Sequence, residues 1–417
     1  MPARNLPFAM SVESDRPPTA MVPGERRALP AVGLTYRFEL GTSLTPTESA
    51  EVIELLRRAF NGGPVWFELV ETPIDHFEWK VRDAPLATGA GIFEQDGRIV
   101  GFNWSIRRRY VIGGAEYVVG DGGELAFDPS LQGRGVWAAV TRFWRALPRA
   151  REVLCYVGVS THPAVRSTEQ NLVSDYFPVG NNVRLLVRPL DVRRMVTGTP
   201  EQSSEGASRT STALAARARR LPRPLALRRL AWRLRMLAHR ARHRPHRASA
   251  SGWTTRMIDR FDERVDVLFA EAAAAFDVIQ VRDVAFLNWR FCDPRGGPFR
   301  VRIAEQDGQL LGYIALLVTH SRAAIADLLV LPERLDIARS LVADALDHFR
   351  REGAAAVAVR TVERHVYNEV FLDAGFIARR ATAVAGCYPD AADPVPLAVL
   401  RDPASRVHLM YADTDHV

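Results

Sequence analysis

A chain of 417 residues, 47% hydrophobic and 25% charged, carries enough apolar material for two or three cored domains, which excludes a disordered or fibrous protein. Its cysteines, Cys155, Cys292 and Cys387, lie far apart without paired metal-ligand spacing, which argues against a disulfide framework or a zinc site and for a reducing cytoplasm. The formal charge of +7 falls to −6 once the thirteen arginines of 209–247 are set aside, so the basicity belongs to one segment.

Residues 1–33 are rich in proline and polar side chains and lack the apolar core of a signal peptide. They read as a disordered tail. No run of about 18 apolar residues occurs, so no membrane-spanning helix is expected and the protein reads as cytoplasmic.

A first domain is expected over 34–192. Trp79-Lys80 and Pro85 precede Glu94-Gln95-Asp96-Gly97-Arg98-Ile99-Val100-Gly101-Phe102, where Asp-Gly supplies the positive φ of a tight hairpin turn. Lys80 is the sole lysine, so Schiff-base chemistry has one candidate. A strand over Glu124–Phe127 then leads through Asp128-Pro129-Ser130-Leu131-Gln132-Gly133-Arg134-Gly135 into a helix, marked by Val136, Ala139, Val140, Phe143 and Leu147 and stopped at Pro148. Two glycines at a helix N-terminus let backbone amides approach an anion, and pyrophosphate is the natural guest.

Residues 193–252 read as a linker. Thr197–Ser211 is rich in Ser, Thr and Glu, and Leu227, Leu230, Leu234, Leu237 and Ala241 then form the narrow apolar stripe of a basic amphipathic helix. Three readings of that helix stay open: a tether docked on the acidic remainder of the chain, a contact with an anionic membrane, and, third because only Trp232 interleaves the arginines, a nucleic-acid contact. His239 and His243 stand at helical ligand spacing, but the neighbouring arginines would repel a divalent cation, so no metal is expected.

A second domain over 253–403 repeats the plan. Trp289-Arg290 and Pro294 precede Glu305-Gln306-Asp307-Gly308-Gln309-Leu310-Leu311-Gly312-Tyr313, and Ala338, Leu341, Val342, Ala345, Leu346 and Phe349 mark a helix before Gly353. Its loop, Leu331-Pro332-Glu333-Arg334-Leu335-Asp336, has no glycine and places two carboxylates where a pyrophosphate needs donors. This half is expected to be catalytically silent, and 404–417 reads as a tail.

Gln132-Gly133-Arg134-Gly135-Val136-Trp137 resembles the signature loop of the GNAT superfamily of acyl-CoA-dependent N-acyltransferases, Trp137 departing from its final Gly or Ala. The strand ending in a Pro link, the helix after it, and Tyr176 four residues before Gly180 also match; the layout is similar to that of tandem two-domain GNAT proteins. The resemblance implies an α/β (α+β, mixed-sheet) fold of two tandem domains joined by the basic helical linker. It implies acetyl-CoA or another acyl-CoA as co-substrate, held by Phe127, Asp128, Gln132, Gly133, Arg134, Gly135, Val136 and Trp137. Glu124, directly or through a water, would take the proton of a small-molecule or peptide amine, and Tyr176 would protonate the leaving thiolate. Asp75, His76 and Glu78 are expected near the acceptor.

Other readings remain. The string Gly133-x-Gly135-x-x-Ala138 satisfies a dinucleotide pattern, but Pro129 intervenes after the strand and Glu152 comes early for the ribose carboxylate. Two more alternatives are a non-catalytic acyl-CoA-binding scaffold and an aminoacyl-tRNA-dependent peptidoglycan-type ligase, which shares the tandem layout and would meet tRNA through the basic segment.

Overall fold

A computed structural model describes residues 21–146, 153–160, 177–179, 183–191, 234, 238, 242–243, 252–319, 322–379, 384–389 and 393–414. The first half runs β1 (Arg26–Leu29), β2 (Leu34–Leu40), α1 (Pro46–Ala59), α2 (Pro73–Arg82), β3 (Gly89–Gln95), β4 (Arg98–Ile112), β5 (Ala115–Phe127), α3 (Val136–Ala146), β6 (Cys155–Ser160), β7 (Phe177–Pro178) and β8 (Val183–Pro189). The second runs β9 (Thr254–Ile258), α4 (Arg264–Ala273), β10 (Val278–Gln280), α5 (Val284–Leu287), β11 (Phe299–Gln306), β12 (Gln309–Val318), β13 (Ala323–Val330), α6 (Leu335–Arg351), β14 (Ala356–Val362), α7 (Asn368–Asp373), β15 (Ile377–Ala378), β16 (Val384–Pro389) and α8 (Pro394–Arg401). The fold is α/β, with two mixed sheets and helices packed on them.

The internal repeat is visible in backbone geometry. Asp96-Gly97 and Asp307-Gly308 both turn through positive φ, 51° and 73° in the first and 49° and 83° in the second. Each turn is preceded by the same irregularity, a register shift at Phe93/Glu94 in one hairpin and at Ala304/Glu305 in the other. Identical turn chemistry therefore fixes identical register.

The two halves exchange a strand. β16, near the end of the second half, inserts between β6 and β7 in the first sheet, antiparallel to both. β8, from the end of the first half, inserts between β14 and β15 in the second sheet. β10 adds a further link by pairing with β4. Each sheet is thus completed by a strand from the other half.

Both termini depart from the tails expected. β1 pairs with β2 inside the stretch assigned to the N-terminal tail, and Leu29 is buried. Residues Val407 to Thr414 are buried: Val407 and Leu409 pack with Tyr110 and Ile112 of β4, and His408 and Asp413 join an internal polar network. Arg282, fully buried, donates to Asp413 (2.8 Å) and Asp327 (3.3 Å) and contacts His408 Nδ1 at 3.1 Å. Burial pushes the Asp413 carboxyl up, but Arg282 and His408 more than offset it and hold the group far below the usual carboxylate range. The basic linker helix falls almost wholly outside the described residues. Of it, Leu234 is helical and 58% exposed, and the His243 carbonyl accepts a hydrogen bond from Arg188 on β8 at 3.1 Å.

Candidate active site

The first sheet opens where the glycine loop begins. β4 and β5 pair regularly to Trp104↔Gly123 and resume at Phe102↔Ala126, leaving Glu124 and Leu125 opposite Asn103 as a bulge. Glu124 sits at φ +48°, a left-handed conformation costly for a residue with a Cβ and typical of a bulge that re-aims its side chain. On its other edge β5 pairs with β6 only at Gly120↔Tyr156 and Asp121↔Val157. Among the described residues, the β5–β6 pairing does not continue past Asp121 toward the bulge.

Beyond β5, Asp128 accepts from the Ser130 amide (3.1 Å) and from Arg58 (3.3 Å). The Ser130 amide, then the Ser130 hydroxyl and Arg58, hold its carboxyl below the ordinary range. The chain then rises through exposed Gln132, Gly133, Arg134 and Gly135 into α3. Gly133 and Gly135 adopt φ +75° and +73°, and a Cβ on either would meet nothing within 4 Å. Glycine is required there by conformation, and the space over the loop is open. None of the amides from Gly133 to Val136 donates to a described residue. They lie at the positive end of α3, the end of a helix that suits an anion, and Val136 and Val140 anchor α3 against Tyr36 and Phe93. The Trp137 ring packs edge-on against Trp144, centroids 6.0 Å apart.

Glu124 lies in the bulge with its side chain 9% exposed. It accepts a hydrogen bond from Trp66 Nε1, and Lys80 Nζ lies 3.6 Å from its carboxylate. Lys80 also sits over the Trp104 ring at 4.2 Å and the Trp66 ring at 5.1 Å. The sole lysine is therefore a buried counter-ion at this bulge. Its uniqueness in the sequence was a signal; Trp66 gave none. Tyr176 lies outside the described residues.

A cavity of about 870 Å³ lies between the halves, walled by the loop leading into α2, by the end of β9 and by the turn before β11. Asp75 and His76 line it; Glu78 instead faces Arg82 at 3.8 Å. His76 is 1% exposed, stacked on Trp66 at 4.6 Å, with Nδ1 2.7 Å from the Arg295 carbonyl across the domain boundary. Nδ1 is thus the donor, and Nε2 has no partner. Burial, then Lys80 and Arg290, depress the imidazole well below its ordinary range and keep it neutral.

The corresponding place in the second half is closed. Asp327 takes the position of Glu124, three residues before the strand-terminal Val330, and is held by Arg282 and the Tyr313 hydroxyl (2.7 Å). Tyr367 Oη accepts from the Val330 amide at 3.1 Å at the end of β13. Glu333 supplies the positive φ of 63°, and Arg334 pairs with Asp336 at 3.0 Å over the helix entry. Among the described residues no cluster of His, Cys, Asp and Glu suits a metal ion, and no helix is long and apolar enough to cross a membrane.

The sequence model of the acetyltransferase (GNAT) family matches residues 265–372, within the second half. No curated protein matches the sequence. Among solved structures, the chain is similar to a probable N-acyltransferase of unknown function from Enterococcus faecalis (11% identity, 85% of this chain and 72% of that one, TM-score 0.53). It is also similar to Saccharomyces cerevisiae N-myristoyltransferase with bound myristoyl-CoA (13% identity, 91% and 86%, TM-score 0.51). At such identities the likeness is one of fold.

Proposed function

We propose that this chain is a tandem two-domain protein of the GNAT superfamily that transfers an acyl group from acyl-CoA to an amine, with the chemistry in the first half. The observation carrying this reading is the coincidence of the β5 bulge, just past the last pairing with β6, with a loop whose Gly133–Val136 amides donate to no described residue. These amides would bind the pyrophosphate, and the β5 edge from Glu124 to Asp128 the pantetheine arm. The amine attacks the thioester carbonyl in a ternary complex, and Tyr176 protonates the departing thiolate. Glu124, engaged by Lys80 and Trp66, would take the amine's proton through a water. A charged pair and two indoles packed at the bulge favour acetyl over a long hydrocarbon chain.

The family match on the second half favours a second reading, with the cofactor bound there. Tyr367 on the Val330 amide and the Arg334–Asp336 pair at the helix entry argue for the first half. Acetyl-CoA binding and turnover against an amine panel test the assignment: Gly133→Val abolishes both if the first half is the site and leaves both intact if it is the second. An active Tyr176→Phe enzyme removes Tyr176 from the mechanism.

A further inference from the structure

We propose that the cavity between the two halves binds the acceptor, and that this acceptor is a polyamine, carrying two or more ammonium groups. The inference rests on the acyltransferase reading for the word acceptor, but the cation site stands on its own geometry. At about 870 Å³ the cavity is of the size that holds small organic ligands. Its walls come from both halves, so it exists only in the assembled tandem chain.

The charges on those walls are unbalanced. Asp293 and Arg295 pair at 2.7 Å, and Arg295 is shared further with Asp83 at 2.7 Å, so the one lining arginine near the His76 wall is fully committed. Glu71 and Asp75 on the first-half wall and Asp259 on the second-half wall are exposed, and none forms an ion pair with a described residue. Among the described residues lining the cavity, Arg300 is the other cation. Carboxylates on facing walls of a concavity focus negative potential and select for several positive charges on one ligand.

His76 supplies the second mark of a ligand. Its neutral ring is locked by the Arg295 carbonyl on Nδ1 and by Trp66 on its face, leaving Nε2 as a buried acceptor without a donor. Such an atom costs stability unless a ligand N–H completes it. Trp66 links this wall to the bulge, stacking on His76 and donating to Glu124. Depression of the imidazole by burial makes this nitrogen an acceptor for the ligand's N–H rather than a competing cation.

The test is calorimetric titration of the full-length protein with spermidine, without acyl-CoA, against propylamine as a single-charge control. Spermidine is expected to bind at least tenfold more tightly than propylamine. Glu71→Gln/Asp75→Asn/Asp259→Asn, all exposed positions that leave the core intact, weakens it at least tenfold. His76→Asn, which keeps a donor for Arg295 and removes Nε2, weakens both amines. Equal affinity for the two amines, or spermidine binding unchanged in the triple variant, overturns the proposal. Spermidine binding that depends on these residues in a protein that never consumes acyl-CoA would sink the acyltransferase reading and keep the cation site.

Discussion

Trp79 and Trp289 stack on one another, ring centroids 4.5 Å apart and planes 18° from parallel, and they are corresponding residues of the two halves. Each is followed by a buried cation, Lys80 and Arg290, and the Trp289 indole donates to the Trp79 carbonyl at 3.4 Å. The repeat thus meets itself at this pair, which joins the halves where the interdomain cavity and the bulge come together. Trp79→Ala removes a 1% exposed indole and is expected to cost about 3–5 kcal/mol, read by urea unfolding. The same substitution should weaken amine binding, because His76 packs against Trp79 at 4.9 Å.

The strand exchange predicts how the chain comes apart. With β16 in the first sheet and β8 in the second, neither half has a complete sheet of its own. Cleavage at an engineered protease site within 193–252 should leave the fragments associated under native mass spectrometry. Each fragment expressed alone should be insoluble or unfolded by circular dichroism. A separately folded second half would contradict the interlock.

Much of this was legible in the sequence, and the parts that were not share a cause. Asp96-Gly97 and Asp307-Gly308 announce their hairpins because turn chemistry is local. The glycine loop announces itself similarly, through the positive φ that Gly133 and Gly135 adopt. By contrast, β8 reads as a strand whichever sheet it joins, since alternation encodes burial and not the partner. The segment around His408 and Asp413 looks like a polar tail until Arg282 is seen to neutralise it. Lys80 stood out by being unique, but its pairing with Glu124 spans 44 residues, and sequence spacing carries no information at that range.

The Lys80–Glu124 pair supports a prediction about the bulge. Both side chains are buried, 5% and 9% exposed, so Lys80→Met strands a carboxylate and should cost about 3–5 kcal/mol. Lys80→Met/Glu124→Gln, which removes both charges, should recover most of that stability in the same thermal or urea assay. If turnover returns with it, Glu124 is not the proton acceptor; if stability returns without turnover, the carboxylate has a chemical role.

Gly133→Ala separates conformation from space. The Cβ meets nothing within 4 Å, so no clash arises, but holding a residue with a Cβ at φ +75° costs about 1–2 kcal/mol. The loop is exposed, and relaxation of its backbone is expected to take up that strain, turning amides away from a bound pyrophosphate. Acetyl-CoA affinity should fall about tenfold while the melting temperature moves by only a few degrees. Glu333→Gly, at φ +63° in the second half, should leave acetyl-CoA affinity unchanged.

The buried histidines set the pH dependence of stability. His76 and His365 are both held well below the ordinary imidazole range, chiefly by burial, with Lys80 adding to the first and His408 to the second. Unfolding returns each to about 6.5, so below that pH the unfolded chain binds more protons than the native one. Their contribution is intact above pH 6.5 and is lost as pH falls toward the depressed native values, at up to about 1.4 kcal/mol per pH unit for each group. The melting temperature should therefore be flat between pH 7 and 8 and fall steadily from 6.5 to 5, and His76→Asn should reduce that slope by about half. Carboxylates such as Asp413, held low in the native state, add their loss only below about pH 4, which keeps the two regimes apart in a melting series.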